Sequence, residues 1–177
     1  EFRVMITTNG TLLREREALL CASPAVEKVS ISLHSFEGNQ GVGLEAYLEQ
    51  CIHFAKEAAE TGKRCALRLW NLDGADTRGA NRQNSAILSS LAEAFPGPSL
   101  APNVFLEWGE RFDWPDLSAP EGDRPTFCYG LRDRGGVLWD GTVVPCCLDH
   151  EGDVPLGSLY EQSLEEILNS PRAQAIY

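Results

Sequence analysis

The sequence predicts an α/β protein in which strand and helix units repeat to build a parallel sheet, followed by a small module made of a β-hairpin and a helix. Three observations predict it. Short alternating apolar segments recur at roughly thirty-residue intervals with amphipathic helical stretches between them. The pair Asp140-Gly141 sits between two β-branched and aromatic runs, Val137 to Trp139 and Thr142 to Val144. Three of the six cysteines, Cys128, Cys146 and Cys147, bracket that hairpin.

Phe2, Val4 and Ile6 alternate with Arg3, Met5 and Thr7, which gives a first strand, and Asn9-Gly10 turns the chain into a helix that starts near Thr11 and ends before Pro24. Val29, Ile31 and Leu33 alternate with Ser30, Ser32 and His34 in a second strand. Leu44, Tyr47, Leu48, Cys51, Ala55 and Ala58 then form one helical stripe closed by Gly62. A third strand is expected from Arg64 to Trp70, a third helix from Ser85 to Phe95 and a fourth strand from Val104 to Trp108. Repetition of strand, helix and strand implies right-handed crossovers and a parallel sheet.

Asn71 to Asn84, rich in Asp, Gly and Asn, predicts a long loop at the exit of the third strand, a place where binding loops are common. Asp113 to Pro125, with Pro115 and Pro120 inside it, predicts a linker. The boundary is expected between residues 115 and 116, with a sheet domain at 1–115 and a cysteine module at 116–177. Asp140-Gly141 predicts a two-residue type I′ turn, and Pro145 ends the second hairpin strand so that Cys146 stands at its exit. Ser163 with Glu166 makes a capping box, and Ser170-Pro171 reads as the N-cap and first residue of another helix.

At 177 residues and 43% hydrophobic content the chain can bury a core. Its net charge of −11 argues against a nucleic-acid or membrane surface, because phosphate binding is driven by Lys and Arg. Neutral or basic peptides and small molecules are the expected partners. No apolar run approaches the ~20 residues that span a bilayer. Unevenly spaced cysteines without a signal peptide read as reduced thiols in the cytoplasm. The chain opens inside a strand and without an initiator methionine, so further sequence is expected on either side.

In each of the first three strands one alternating set is apolar and suits packing against helices. The other set turns polar toward the C-terminal end: Thr7 and Asn9, Ser32 and His34, Arg68 with Asn71 just beyond. Parallel strands covered on both faces usually read as continuous apolar runs. Any one of these residues can be structural, but the set points to a lumen or crevice holding something polar, at the end where α/β folds place ligands. At the cysteines the spacing leaves three readings open: a soft-metal site, buried small hydrophobes or a disulfide.

Cys128, then Asp140-Gly141 with Cys146-Cys147 and Asp149, then Leu156-Gly157 and the segment Ser163 to Ser170, resemble the C-terminal iron–sulfur extension of radical S-adenosylmethionine (SAM) enzymes, the SPASM or twitch domain. The resemblance runs from about Pro125 onward. It implies that Cys128 and Cys146 bind an auxiliary [4Fe-4S] cluster, that Cys147 is an alternate or neighbouring thiol, and that the remaining ligands come from a cysteine pair beyond Tyr177. Thr8-Asn9-Gly10 and Val29 to Ser35 likewise resemble strands of the radical SAM partial barrel. That implies Asn9 and Ser32 lining a SAM pocket, Arg68 pairing with the methionyl carboxylate or a substrate oxygen, and Leu69, Trp70 and Asn71 edging the adenine site. A planar guanidinium suits a bidentate carboxylate contact.

The chain departs from that family in lacking its Cys-x-x-x-Cys-x-x-Cys loop and its Gly-Gly-Glu segment, both of which the resemblance places upstream of Glu1. What it implies overall is part of an enzyme in which a reduced cluster cleaves SAM to a 5′-deoxyadenosyl radical that removes a hydrogen atom from a peptide or small-molecule substrate. A flavodoxin or ferredoxin would be the reductant. The alternative is a non-enzymatic metal-binding or interaction module on an α/β scaffold. Of the other candidates, His34 is expected to face the lumen, His53 to be a partly buried structural residue, and His150 to be solvated. Asp149, Glu151 and Asp153 read as a solvated acidic turn, and Glu107 and Glu110 as strand-exit residues facing substrate or solvent. No nucleophile elbow, phosphate-binding glycine loop or zinc-protease helix supports another enzyme class.

Overall fold

The computed structural model describes residues 2–38, 41–72, 82–111, 114, 115, 118 and 129–176. Cys128, the middle of the expected loop at residues 73–81 and most of the expected proline linker lie outside the described residues. The chain divides into two compact units, Glu1–Phe112 and Asp113–Tyr177.

The first unit is a four-stranded parallel sheet in the order β1 (Val4–Thr8), β2 (Val26–Ser32), β3 (Arg64–Leu72), β4 (Val104–Glu110). Helices α1 (Leu13–Ala22), α2 (Leu44–Glu60) and α3 (Arg82–Ala94) lie between successive strands. Each strand contributes one alternating set to a single core. Val29, Ile31, Cys65, Leu67, Leu69 and Val104 pack there against Leu13 of α1, the α2 residues Tyr47, Leu48, Cys51, Phe54, Ala55 and Ala58, and Ile87 and Leu91 of α3. Because strand order follows chain order and all three helices share that core, the sheet is wound in one direction. It is not the winding of a doubly wound sheet with helices on both faces. Burial of this apolar set, at roughly 25 cal/mol per Å² of apolar surface, is what holds the unit together.

Element limits shift from the sequence expectations in ways that have local causes. Helix α1 begins at Leu13, because Gly10 adopts φ +83 and residues 11 and 12 complete a turn. The expected loop after β3 is shorter at both ends: Asn71 and Leu72 belong to β3, and α3 already starts at Arg82. His34 is not a strand residue. It lies in a short 3-10 helix, Leu33–Gly38, that follows β2. Since β2 ends at Ser32, β3 has no strand partner on that side beyond Arg68, and the His34 ring takes over, its Nδ1 accepting the Trp70 N–H at 3.2 Å. His53 is exposed and its Nε2 meets Glu17 Oε1 of α1 at 3.3 Å, so it is not the partly buried residue expected.

The second unit holds a three-stranded antiparallel sheet, β5 (Gly136–Val137), β6 (Thr142–Val144) and β7 (Gly157–Ser158), with two short helices, α4 (Leu164–Leu168) and α5 (Pro171–Gln174). The expected hairpin is therefore extended by a third strand, which two residues of the segment Leu156-Gly157 to Leu159 are too short to announce by periodicity. The turn also differs from type I′. That type needs positive φ at both central residues, whereas only Gly141 is positive here, at φ +82. Leu138 N–H bonds Thr142 O at 2.8 Å and Gly141 N–H bonds Leu138 O at 3.0 Å, so the loop is Trp139 to Gly141, a three-residue connection closed by a left-handed glycine. Leu131, Val143, Leu156, Ile167 and Ala173 form the small core beneath. The expected capping box is present: Glu166 N–H donates to Ser163 Oγ, and Ser163 N–H donates to Glu166 Oε2 at 2.8 Å.

Candidate functional site

Two groupings carry chemistry, one in each unit. On the β2, β3 and β4 face that points away from the helices, the alternating set is Lys28, Ser30, Ser32, Ala66, Arg68, Trp70 and Glu107. Register places Ser32, Arg68 and Glu107 side by side across the three strands. Glu107 is held by two cations: Lys28 Nζ at 2.6 Å from Oε1, and Arg68 Nε at 3.7 Å from Oε2. The Arg68 guanidinium lies over the Trp70 indole, 3.5 Å from the ring centroid. A Cβ on Gly109 would come within 2.8 Å of that ring, so glycine on β4 is what lets the indole lie flat against the strand.

Electrostatically this face is a positive site with unused donors. Burial pulls the Arg68 guanidinium below the usual arginine range, and the Glu107 carboxylate opposes that pull. It remains a cation, since arginine does not deprotonate in proteins. Arg68 Nε and Trp70 Nε1 are both buried and have no hydrogen-bond partner among the described residues. An unmet buried donor costs about 1–3 kcal/mol, and two of them beside a cation fit an incoming carboxylate or other oxygen acceptor.

The other residues expected at this site fall into two groups. Asn9 follows β1 and is exposed, its Oδ1 accepting from Thr11 N at 3.2 Å and Thr11 Oγ1 at 2.9 Å. Ser32 ends β2, and its carbonyl accepts from Ser35 Oγ at 2.6 Å. Asn71 is on the opposite face from Arg68, 5% exposed, in a reciprocal amide pair with Asn84 of α3 at 3.0 and 2.9 Å. Both of its amide ends are used in fastening α3 to the exit of β3. Lys28, Glu107 and Trp70 were not singled out as a network from sequence. Their common parity with Ser32 and Arg68 was the available signal, because a period of two puts all of them on one face.

In the second unit the described thiols are Cys146, half-buried, and Cys147, exposed; both are free. Pro145 O accepts the Leu131 N–H at 2.9 Å, which ties the segment just after Cys128 to the residue just before Cys146. Leu131 holds φ +60, a costly conformation for a bulky side chain, and its burial in the small core is what keeps it there. On the far side of the thiols, Cys146 O accepts the Asp149 N–H at 3.2 Å. Asp149 in turn accepts from Asp153 N at 2.8 Å and Val154 N at 3.0 Å, so it organises this loop and is not simply a solvated acid. His150 is exposed, as expected, beside Glu151 at 3.2 Å.

These thiols are soft sulfur donors of the kind iron–sulfur clusters take. Among the described residues no group of three or more His, Cys, Asp or Glu comes together in a way that could hold a metal ion. Cys146 and Cys147 thus match an iron–sulfur site in kind and leave its ligand set incomplete, with Cys128 outside the described residues. The cysteines of the first unit are of another character. Cys51 and Cys65 are fully buried, and burial pushes each thiol up to about 12. Neither offers a thiolate to a metal.

Comparison with known proteins bears on the second unit. Residues 128–177 match SPASM, the iron-sulfur cluster-binding domain. A domain of this type implies an iron–sulfur cluster and is typical of radical SAM enzymes. Neither the curated proteins nor the solved structures yield a match to the chain. No helix among the described residues is long and apolar enough to cross a membrane.

Proposed function

We propose that this chain is part of a radical SAM enzyme whose second unit carries an auxiliary [4Fe-4S] cluster, with Cys128 and Cys146 as ligands and Cys147 as the alternate thiol. The observation that carries the reading is the match of residues 128–177 to the iron–sulfur domain; beside it stands the Leu131 N–H to Pro145 O bond, which anchors the residue just before Cys146. SAM with its own reduced cluster supplies hydrogen-atom abstraction through a 5′-deoxyadenosyl radical. The protein's share is to bind, orient and shield.

In the first unit, the C-terminal ends of a singly wound parallel sheet are where such folds hold ligands. Arg68, with Trp70 beside it, takes the methionyl carboxylate. Ser32 and Asn9 offer polar groups from the neighbouring strand exits, and Asn71 contributes by fixing the end of β3 through Asn84. Glu107 and Lys28 hold the Arg68 head in place and balance its charge. The substrate is a peptide or small molecule and the electron donor a flavodoxin or ferredoxin, in the cytoplasm.

The test uses the intact gene product, purified without oxygen. Iron and acid-labile sulfide are measured alongside formation of 5′-deoxyadenosine from SAM under reducing conditions. Both iron and sulfide, with deoxyadenosine formed, support the reading. Zinc in place of iron, with no SAM cleavage, supports a metal-binding module without catalysis.

A further inference from the structure

The turn that leaves β1 is gripped by two side chains of α2. Tyr47 Oη donates to Asn9 O at 2.8 Å and has Ser32 O at 3.4 Å, so one phenol joins the exits of β1 and β2. One helical turn on, Gln50 Nε2 donates to Gly10 O at 2.9 Å. Gly10 itself is seated tightly, for a Cβ there would stand 3.2 Å from Cys51 Sγ, Ile31 Cγ2 and Tyr47 Oη. Its N–H donates to Thr8 Oγ1 at 3.1 Å.

Within this turn the orientation of Asn9 is decided by its neighbour. The Thr11 backbone N–H can only donate, so Oδ1 of Asn9 must face it and the amide hydrogens must point elsewhere. Asn9 therefore stands exposed as a hydrogen-bond donor. The Tyr47 ring does not depend on its hydroxyl for packing, being 1% exposed and tilted against Phe36 at 5.4 Å between centroids. Burial raises the phenol above its ordinary range and keeps it a donor.

We propose that Tyr47 and Gln50 are positioning residues that fix the β1 exit turn, so that the Asn9 amide donates to acceptor oxygens of a bound nucleoside or amino-acid moiety beside Ser32. The proposal rests on the reading of Asn9 and Ser32 as part of a SAM site. Tyr47 acts through Asn9, not on the ligand, and that separates its role from one of simple stability.

The experiment titrates S-adenosylhomocysteine calorimetrically into the intact, cluster-loaded protein, its Tyr47→Phe and Asn9→Ala variants, and the double variant. Amide hydrogen exchange of residues 8–12 is followed in parallel without ligand. Asn9→Ala is expected to weaken binding about tenfold, as loss of one well-placed hydrogen bond does. Tyr47→Phe should weaken it several-fold, and the double variant should be little weaker than Asn9→Ala alone, since coupled residues are not additive. Exchange at the Gly10 and Thr11 amides should quicken in Tyr47→Phe while that of α2 stays unchanged. Additive losses, wild-type affinity in Tyr47→Phe, or unchanged exchange at Gly10 and Thr11 would each overturn the proposal. If wild type does not bind, the SAM reading falls and takes the ligand role of the turn with it; if wild type binds and Asn9→Ala binds equally well, the SAM reading stands and the proposal falls. In either case the exchange result says separately whether the clamp exists.

Discussion

Cys51 and Cys65 in the first unit and Cys146 and Cys147 in the second carry the same side chain into opposite surroundings. The first pair is sealed between sheet and helix, where losing water penalises the thiolate and pushes both thiols up to about 12. The second pair stands at a strand exit, half-buried and exposed, on a segment anchored on both sides by backbone hydrogen bonds. A cysteine becomes a ligand through its surroundings, because only the thiolate binds metal. Burial makes one pair a filler of the core and leaves the other free to act.

The contrast breaks most visibly under alkylation. With any metal removed, iodoacetamide near pH 8 should modify Cys146 and Cys147 promptly, while Cys51 and Cys65 should react at least about a hundredfold more slowly, limited by opening of the core. Peptide mass mapping over time reads this directly, and comparable rates at all four would dissolve the distinction. Phe54→Ala sharpens it from the other side. This fully buried ring should cost roughly 3–5 kcal/mol in the first unit and bring Cys51 and Cys65 into reach of the reagent, leaving the reactivity of Cys146 and Cys147 unchanged.

A pH titration gives an effect whose sign is set. Folded Cys51 and Cys65 titrate near 12, against 9.0 for an ordinary thiol, so between those values the folded state holds more protons than the unfolded one. Their contribution to stability is complete below pH 9 and is lost as pH rises toward 12. Urea unfolding across that window should show the decline, and Cys51→Ala should make it shallower. Least of all, Ser163→Ala removes a helix N-cap and should cost about 1 kcal/mol in the second unit alone.

The polar face of the sheet offers a matching test within the first unit. Arg68→Lys keeps the charge but removes the planar fork and the stack on Trp70. Affinity for SAM or S-adenosylhomocysteine should fall about tenfold or more, with the melting temperature little changed. A lower melting temperature with normal affinity would make Arg68 a structural partner of Glu107 and nothing more.

Much of the fold was legible because the strands alternate with period two and the helices carry one apolar stripe, which assigned Val29, Ile31, Tyr47 and Leu48 to the core. Local chemistry announced the capping box at Ser163 and Glu166 because its hydrogen bonds close within three residues. Strand β7 was not legible, since two residues have no period. Nor was the grip of Tyr47 on Asn9, which joins residues far apart in sequence through a polar tip on an otherwise apolar ring. Asp140-Gly141 misled in a specific way. The pair favours a type I′ turn, but Asp140 Oδ1 accepts the Thr142 N–H at 3.0 Å, and with Gly141 alone left-handed the loop takes three residues.

Iron and sulfide content of the intact, anaerobically purified protein, measured for wild type, Cys146→Ala and Cys51→Ala in one preparation series, tests the central claim most directly. If the second unit holds a [4Fe-4S] cluster through Cys146, that variant should lose about four iron and four sulfide per chain, while Cys51→Ala keeps the wild-type content. Equal content in Cys146→Ala and wild type, or equal loss in both variants, would contradict the assignment.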